Sequence, residues 1–367
     1  MIESSSKIRN TIDNFFAHYQ RNHRNPVPDK TSGREISDIY FEFQRRNRHI
    51  PRWVLEVSRL RPGEMLMELP PERPTLTWDP HLFSTQFDRE PFGFDHNLAS
   101  LDLFDFDRLV ALAEKYAGLD QDYFVAGSAP SPGTAFYTVP TVGHRPHEAL
   151  EQLDLAPYRV LLKRPETLDP GFRDLLDQLW RQVARSRPGL LDAEIVRLES
   201  SIFISSAATT TPFHFDPEVN FFTQIEGDKT YHVYPPDVVG ERELERFYKH
   251  GIVNIGQIDL STRPQDRERV FTLRAGNGLH QPQNAPHWVE TGASRSISYS
   301  FVFETAASRA LGRTRAYNHY LRKLGLDPAI PDRRPIWDAA KAEAMKLARP
   351  ARRSLSRAVR AVLGQKT

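Results

Sequence analysis

A chain of 367 residues with 39% hydrophobic and 26% charged residues can bury a large core, and its formal net charge of +2 gives no whole-molecule attraction to nucleic acid. It contains no cysteine, which excludes disulfides and thiolate chemistry and fits a reducing, cytoplasmic compartment. No apolar run approaches the roughly 18 residues of a membrane span, and the opening Met1-Ile-Glu-Ser-Ser-Ser-Lys7 lacks the basic-then-apolar profile of a signal peptide.

Ile8, Ile12, Phe15, Phe16 and Tyr19 recur at helical spacing and predict an amphipathic helix, followed by a polar loop from His23 to Arg34. Trp53–Val57 and Glu64–Leu69 read as strands around Arg61-Pro-Gly63, and residues 70–100 show no clear period. Asp105 stands where it can cap a helix carrying Leu109, Leu112, Ala113 and Tyr116 and ended by Gly118. Capping also accounts for the acidic string Asp102, Asp105, Asp107 better than a cation site does. Residues 126–147 read as a loop with a short strand at Phe136–Val139. His144 and His147 have metal-like spacing, but Pro146 breaks any helix that would align them. Tyr158–Leu162 predicts a strand. Asp169-Pro170 predicts a helix start with Leu175, Leu176, Leu179 and Trp180 on one face, and strands follow between Glu194 and Ile204.

The most informative stretch runs from Thr211 to Lys229. Read as a strand, it puts His214 and Asp216 on one face, where an imidazole and a carboxylate can hold one side of a divalent metal, and Asn220 and Phe222 keep that parity. Glu226-Gly-Asp-Lys229 predicts a tight hairpin turn, with Lys229–Tyr234 returning antiparallel to the first strand. Residues 237–269 are strongly charged and predict a helix and loop. A third ligand is available at His287, at the mouth of another strand. Beyond it, Ser296–Phe303 alternates Ser298 and Ser300 against Ile297, Tyr299, Phe301 and Phe303. Two histidines and one carboxylate with open positions match the facial triad of non-haem Fe(II) oxygenases, although zinc accepts the same ligands. Residues 306–325 and a segment from about Trp337 predict two helices. From Lys346 the chain carries seven basic residues and no acidic one, with Leu355, Val359, Val362 and Leu363 as an apolar stripe. Such an end can pack on its own protein or a second subunit, or make weak contact with an anionic membrane surface through residues 346–367.

Phe203-Ile204, Thr211-Pro212, His214-x-Asp216, Asn220-Phe-Phe222, Gln224-Ile225, Gly227, Lys229 and Pro235-Pro236, followed by Gly276, Leu279, Pro282 and His287, resemble the jumonji C and cupin-like 2-oxoglutarate dioxygenases. The pattern is similar to that of the asparaginyl hydroxylase that inhibits hypoxia-inducible factor. It spans about 100 residues, roughly 200 to 305. The resemblance implies a mainly β fold, a double-stranded β-helix (cupin-like jelly roll), with helical N- and C-terminal additions. It divides the chain into an N-terminal mixed extension (1–120), a catalytic core (121–305) and C-terminal helices with a basic tail (306–367), and sets the charged insertion at the barrel rim. It implies Fe(II) on His214, Asp216 and His287, with 2-oxoglutarate and O2 as co-substrates. Lys229 would pair the far carboxylate of 2-oxoglutarate, and Thr211, Asn220 and Phe222 would bind or order it. Ser300 falls where relatives carry a polar pocket residue, often asparagine, so a plain strand serine stays open there. The implied reaction hydroxylates an unactivated C–H while 2-oxoglutarate is decarboxylated to succinate and CO2, or demethylates if the substrate is an N-methyl group. A non-catalytic metal-binding sensor and a zinc hydrolase stand as alternatives, the latter with no general base beside the triad and no duty for Lys229. The substrate remains open among a protein side chain, a small metabolite and a lipid-linked group. Trp288, Glu290 and the charged insertion are candidates to line its site, although such residues are usually strand flank and surface. In the resembling hydroxylase the helices after the barrel make a homodimer, and the same is an expectation here. The basic tail extends the expected location from the cytoplasm to the inner membrane face.

Overall fold

The computed structural model describes residues 76–139, 141–249 and 255–362. The expected N-terminal helix, the strands at 53–57 and 64–69, and the side chains of the basic tail from residue 349 fall outside what is described. The segment without a clear period resolves into β1 (Leu76–Thr77), α1 (Pro80–Gln86) and β2 (Phe92–His96). Then come α2 (Phe106–Glu114), β3 (Tyr123–Ala126), α3 (Pro146–Leu150), β4 (Arg159–Lys163), α4 (Pro170–Ser186) and β5 (Ile195–Ser205). The remainder comprises β6 (Thr210–His214), β7 (Val219–Glu226), β8 (Lys229–Val233), α5 (Glu241–Tyr248), β9 (Arg269–Leu273), β10 (Asn277–Gln281), β11 (His287–Thr291), β12 (Ser296–Thr305), α6 (Ala306–Lys323) and α7 (Pro335–Val362). Among the described residues no helix is long and apolar enough to cross a membrane.

The strands form two antiparallel sheets. The larger has the order β1-β2-β10-β7-β12-β5-β4-β3, and the smaller the order β6-β11-β8-β9. From β5 to β12 the chain passes repeatedly between the sheets, so each sheet alternates early and late strands. That winding is the double-stranded β-helix. Phe222 and Leu279 of the larger sheet meet Tyr231, Val233, Leu273 and Val289 of the smaller in one apolar cluster between the layers.

Sequence alternation decides which face of each strand looks inward. On β12, Ile297, Tyr299, Phe301 and Phe303 join the core on the outer side of the larger sheet, together with Phe172, Leu175, Leu176, Leu179 and Trp180 of α4. That helix starts where predicted, with Pro170 in its first turn and the Asp169 carboxylate accepting from the Gly171 N–H at 2.7 Å. The serines of β12 take the other face, where Ser298 Oγ donates to Gln224 Oε1 at 2.8 Å. Helix α2 also starts after Asp105 as expected, although that side chain makes no capping hydrogen bond.

Three local expectations are corrected. The stretch from Thr211 to Asn220 is two strands, because the chain leaves β6 at His214 and re-forms as β7 at Val219. The turn after β7 is tight, with Gly227 at φ +67°, where an added Cβ would meet the Arg295 carbonyl oxygen at 2.2 Å. It does not make a hairpin, however. Both edges of β7 are already taken by β10 and β12, so β8 crosses to the smaller sheet and pairs with β11 and β9. Finally, Phe136–Thr138 is a single 3-10 turn rather than a strand.

Candidate metal centre

His214 ends β6 and His287 opens β11, and the antiparallel pairing of those strands sets the two residues opposite each other. Their ring centroids are 4.2 Å apart. Asp216 follows just beyond β6, with Oδ2 3.9 Å from His214 Nε2 and 3.8 Å from His287 Nε2. One ligand atom from each of the three residues lies within 4.8 Å of the others, and this is the single such group of three among the described residues. Both histidines are buried and Asp216 is half-buried.

The rings are held with Nε2 towards the centre. His214 Nδ1 sits 2.7 Å from the Pro212 carbonyl oxygen and donates to it, leaving the Nε2 lone pair free. His287 Nδ1 is 3.2 Å from the Ala285 carbonyl oxygen, and the Gln281 side-chain amide lies 2.9 Å from the same nitrogen. Gln281 is fixed at its other end by the Tyr231 hydroxyl, which donates to Oε1 at 2.6 Å. Phe136 packs against His214 at 4.7 Å, and Tyr231 stacks on His287 at 5.2 Å.

Without a cation, burial disfavours the charged forms of Asp216 and His287. Burial pushes the Asp216 carboxyl up, opposed by His214 and Arg197. Burial, and then the neighbouring His214, pull His287 well below its ordinary range. Glu218, two residues on, is raised to about 8 by burial, against the pull of Arg197, with which it forms an ion pair. A divalent ion among the triad would offset these penalties.

Lys229 opens β8 and is buried, only 5% exposed. Its Nζ lies 5.4 Å from the centre of the Phe222 ring and 5.8 Å from that of Phe203. No carboxylate pairs with it among the described residues. Burial, reinforced by the nearby Arg159, lowers it to about 7. The β8–β11 register sets Lys229 opposite Thr291 and Val233 opposite His287, so the lysine and the metal centre occupy opposite ends of one strand pair. Four residues separate them, about 13 Å of strand. A lysine side chain and a short ligand laid end to end can bridge that gap.

The other expected site residues are distributed unevenly. Thr211 Oγ1 accepts from Arg159 Nη1 at 3.2 Å. Asn220 is buried on β7 with Oδ1 lacking a partner, and Phe222 belongs to the cluster between the sheets. Ser300, on the serine face of β12, is opposite Phe222 in register and buried. Trp288 and Glu290 follow the surface alternative. They alternate with the inward His287, Val289 and Thr291 and so take the outer face of the smaller sheet. There Trp288 stacks on His232 at 3.7 Å, and Glu290 Oε2 is 3.5 Å from His232 Nε2. His144 and His147 join no group of three potential ligands. The charged insertion supplies α5, which packs on α6 through Arg315–Glu241 and Arg322–Glu245 pairs.

Two residues escaped the sequence reading. Gln281 gives no signal, because a glutamine in a strand is commonplace. Arg159 gives none either: Lys163 flanks Val160-Leu-Leu162 on the other side, so a basic residue at the edge of that strand is ordinary.

Residues 149–309 match the model of the cupin-like domain family. Comparison with curated protein sequences returns no match. Among solved structures, the chain is similar to YcfD, described as a ribosomal oxygenase from Escherichia coli, in complex with cobalt and 2-oxoglutarate. The identity is 17% and the TM-score 0.42, over 75% of this chain and 67% of that one. The complex of the same protein with cobalt and succinic acid gives 16% identity and a TM-score of 0.42, over 75% and 67%. The stretch that matches the cupin-like domain family contains β5 to β12, all three members of the candidate metal centre and Lys229.

Proposed function

We propose that the protein is an Fe(II)- and 2-oxoglutarate-dependent oxygenase that hydroxylates an unactivated C–H of its substrate. The observation that carries this reading is the buried, anion-less Lys229 at the far end of the strand pair that bears His287. A structural zinc site or a bare metal-binding scaffold leaves that ammonium without a purpose. The donor set suits the ion: two imidazole rings, that of His214 with its proton held on Nδ1, and one carboxylate converge within 4.8 Å.

His214, Asp216 and His287 would hold the iron, and Lys229 would pair the distal carboxylate of 2-oxoglutarate inside the barrel. Bound iron and 2-oxoglutarate together supply dioxygen activation, in which one oxygen atom goes to succinate as CO2 leaves and the other to the substrate carbon. The chain's own part is positional. Phe222 and Phe203 flank the lysine and exclude water, and Pro212, Ala285 and Gln281 fix the histidine rings. Thr211, Asn220 and Ser300 supply polar atoms to the interior, and the unpartnered Asn220 Oδ1 supports a ligand-facing role. The same chemistry on an N-methyl group would release formaldehyde, so substrate alone separates hydroxylase from demethylase. Exposed Leu324, Leu326, Ile336 and Trp337 around the C-terminal helices support a homodimer contact there.

An anaerobic titration of metal-free protein with Fe(II) and then 2-oxoglutarate tests the reading by visible absorbance. A weak charge-transfer band that appears only with both, and is lost in His287→Ala, is the expected result. Iron bound without any such band would point to a non-catalytic sensor. Absence of iron binding would overturn the reading altogether.

A further inference from the structure

Arg159 belongs to β4, a strand that extends the larger sheet beyond the double-stranded β-helix, and its register partner on β5 is Ser205. Its side chain nevertheless reaches Thr211, a residue of the opposite sheet, so it crosses the space between the layers. It is 9% exposed, and that single contact leaves Nε buried without a partner. No carboxylate pairs with it among the described residues. By contrast, Arg197 has Glu199 and Glu218, and Arg263 has Glu243. Arg159 also stands close enough to Lys229 for its charge to bear on that ammonium. Two buried cations therefore share one compartment with each other and with a threonine hydroxyl. Like charges taken out of water are costly, and a protein keeps them together only where an anion completes the group.

We propose that Arg159 is the second cation of the co-substrate pocket and the residue that makes it selective for a keto acid with a carboxylate at each end. This rests on the oxygenase reading above and adds a specificity-determining residue to it. Lys229 supplies a point charge from β8. Arg159, approaching from outside the barrel core, offers a planar set of N–H donors that can meet a carboxylate in two places. Thr211 is held by Arg159 Nη1, which leaves its hydroxyl proton to donate to the same anion. A monocarboxylate keto acid of equal length would leave both cations unmatched, and the pocket would reject it.

The test is calorimetric binding of 2-oxoglutarate and of 2-oxopentanoate, which lacks only the far carboxylate, to Mn(II)-loaded full-length protein without oxygen. Wild type should bind 2-oxoglutarate at least 10-fold more tightly than 2-oxopentanoate. Arg159→Leu should weaken 2-oxoglutarate by about 10- to 100-fold, the range for a lost charged hydrogen bond, while leaving Mn(II) and 2-oxopentanoate binding unchanged. Arg159→Lys, which keeps the charge and guards against a folding defect in the leucine variant, should recover part of the loss. Wild type that binds neither keto acid would overturn the oxygenase reading and this inference with it. An unchanged ratio between the two acids in both variants, or an equal loss for both acids, would overturn the inference and leave the oxygenase reading standing.

Discussion

A buried ammonium without a counter-charge is a standing cost to a fold, and Lys229 makes that cost measurable. Its folded value of about 7 lies below the ordinary 10.5. Between those two values the unfolded chain holds a proton that the folded chain has released. Ligand-free protein should therefore gain stability as pH rises from 7 towards 10.5, and the penalty is complete below pH 7. Urea unfolding at pH 7 and pH 9.5 should show wild type gaining about 3 kcal/mol on Lys229→Met, with the larger part of the gain below pH 9. Parallel pH responses of the two proteins would show that the lysine is solvated. Residue identity also fixes the metal centre. Asp216→Ala removes the one carboxylate of the triad and should abolish Fe(II) binding in a calorimetric titration. Gln281→Leu keeps every ligand but frees the His287 ring, and should weaken the metal by roughly 10- to 100-fold. At this scale the sequence is generous where one motif holds the ligands in order, as with His214, Asp216 and Lys229. It is silent where the partner arrives from elsewhere. Arg159 and Gln281 acquire meaning only once β4 meets β6 across the barrel and β10 leads into β11.

Between elements, helix α6 reaches the metal centre through two residues. Gly312 lets α6 lie against the Tyr248 ring of α5, where a Cβ would come within 2.7 Å of the ring. The Tyr248 hydroxyl donates to Asn284 Oδ1 at 2.8 Å, and the Asn284 N–H donates to the Asp216 carbonyl at 2.9 Å. Gly312→Val should cost about 1–3 kcal/mol by forcing the helices apart. It should also loosen metal affinity through Asn284, whereas Tyr248→Phe, which removes one hydrogen bond, should cost about 1 kcal/mol. Thermal unfolding with and without Mn(II) reads both effects, and a Gly312→Val protein with wild-type stability and metal affinity would disprove the linkage. The longer helices and most strands were readable from periodicity, since α4 and β12 keep their apolar faces in strict order. Strand partners were not. Alternation tells which side of β7 is inward but carries nothing about which strand lies next to it, and so the turn at Gly227 looked like a hairpin when it is a crossing between sheets.

The candidate metal ligands come from segments far apart in the chain, so the centre exists only when β6 and β11 have paired. A metal that binds the folded state alone should raise the unfolding midpoint steadily with its concentration, by about 2.7 kcal/mol of stability at 100 times the dissociation constant. His214→Ala should remove that response, as followed by calorimetric scans. Self-association is open to the same directness. Light scattering should find two chains per particle, and Trp337→Glu, at a side chain that is 65% exposed, should return monomers with an unchanged metal site. A monomeric wild type would end that expectation.

The pairing of β8 with β11 also acts as a ruler. Its graduations are hydrogen-bonded rungs, the metal stands at one mark and the lysine at another, and no side chain can adjust the interval by less than a rung. A relative that shifted Lys229 by two positions along β8 would keep the inward face and move the cation by about 7 Å, which is too far for the same ligand. In the function proposed above, co-substrate length is thus written into backbone register, and drift in the surrounding side chains cannot easily erase it.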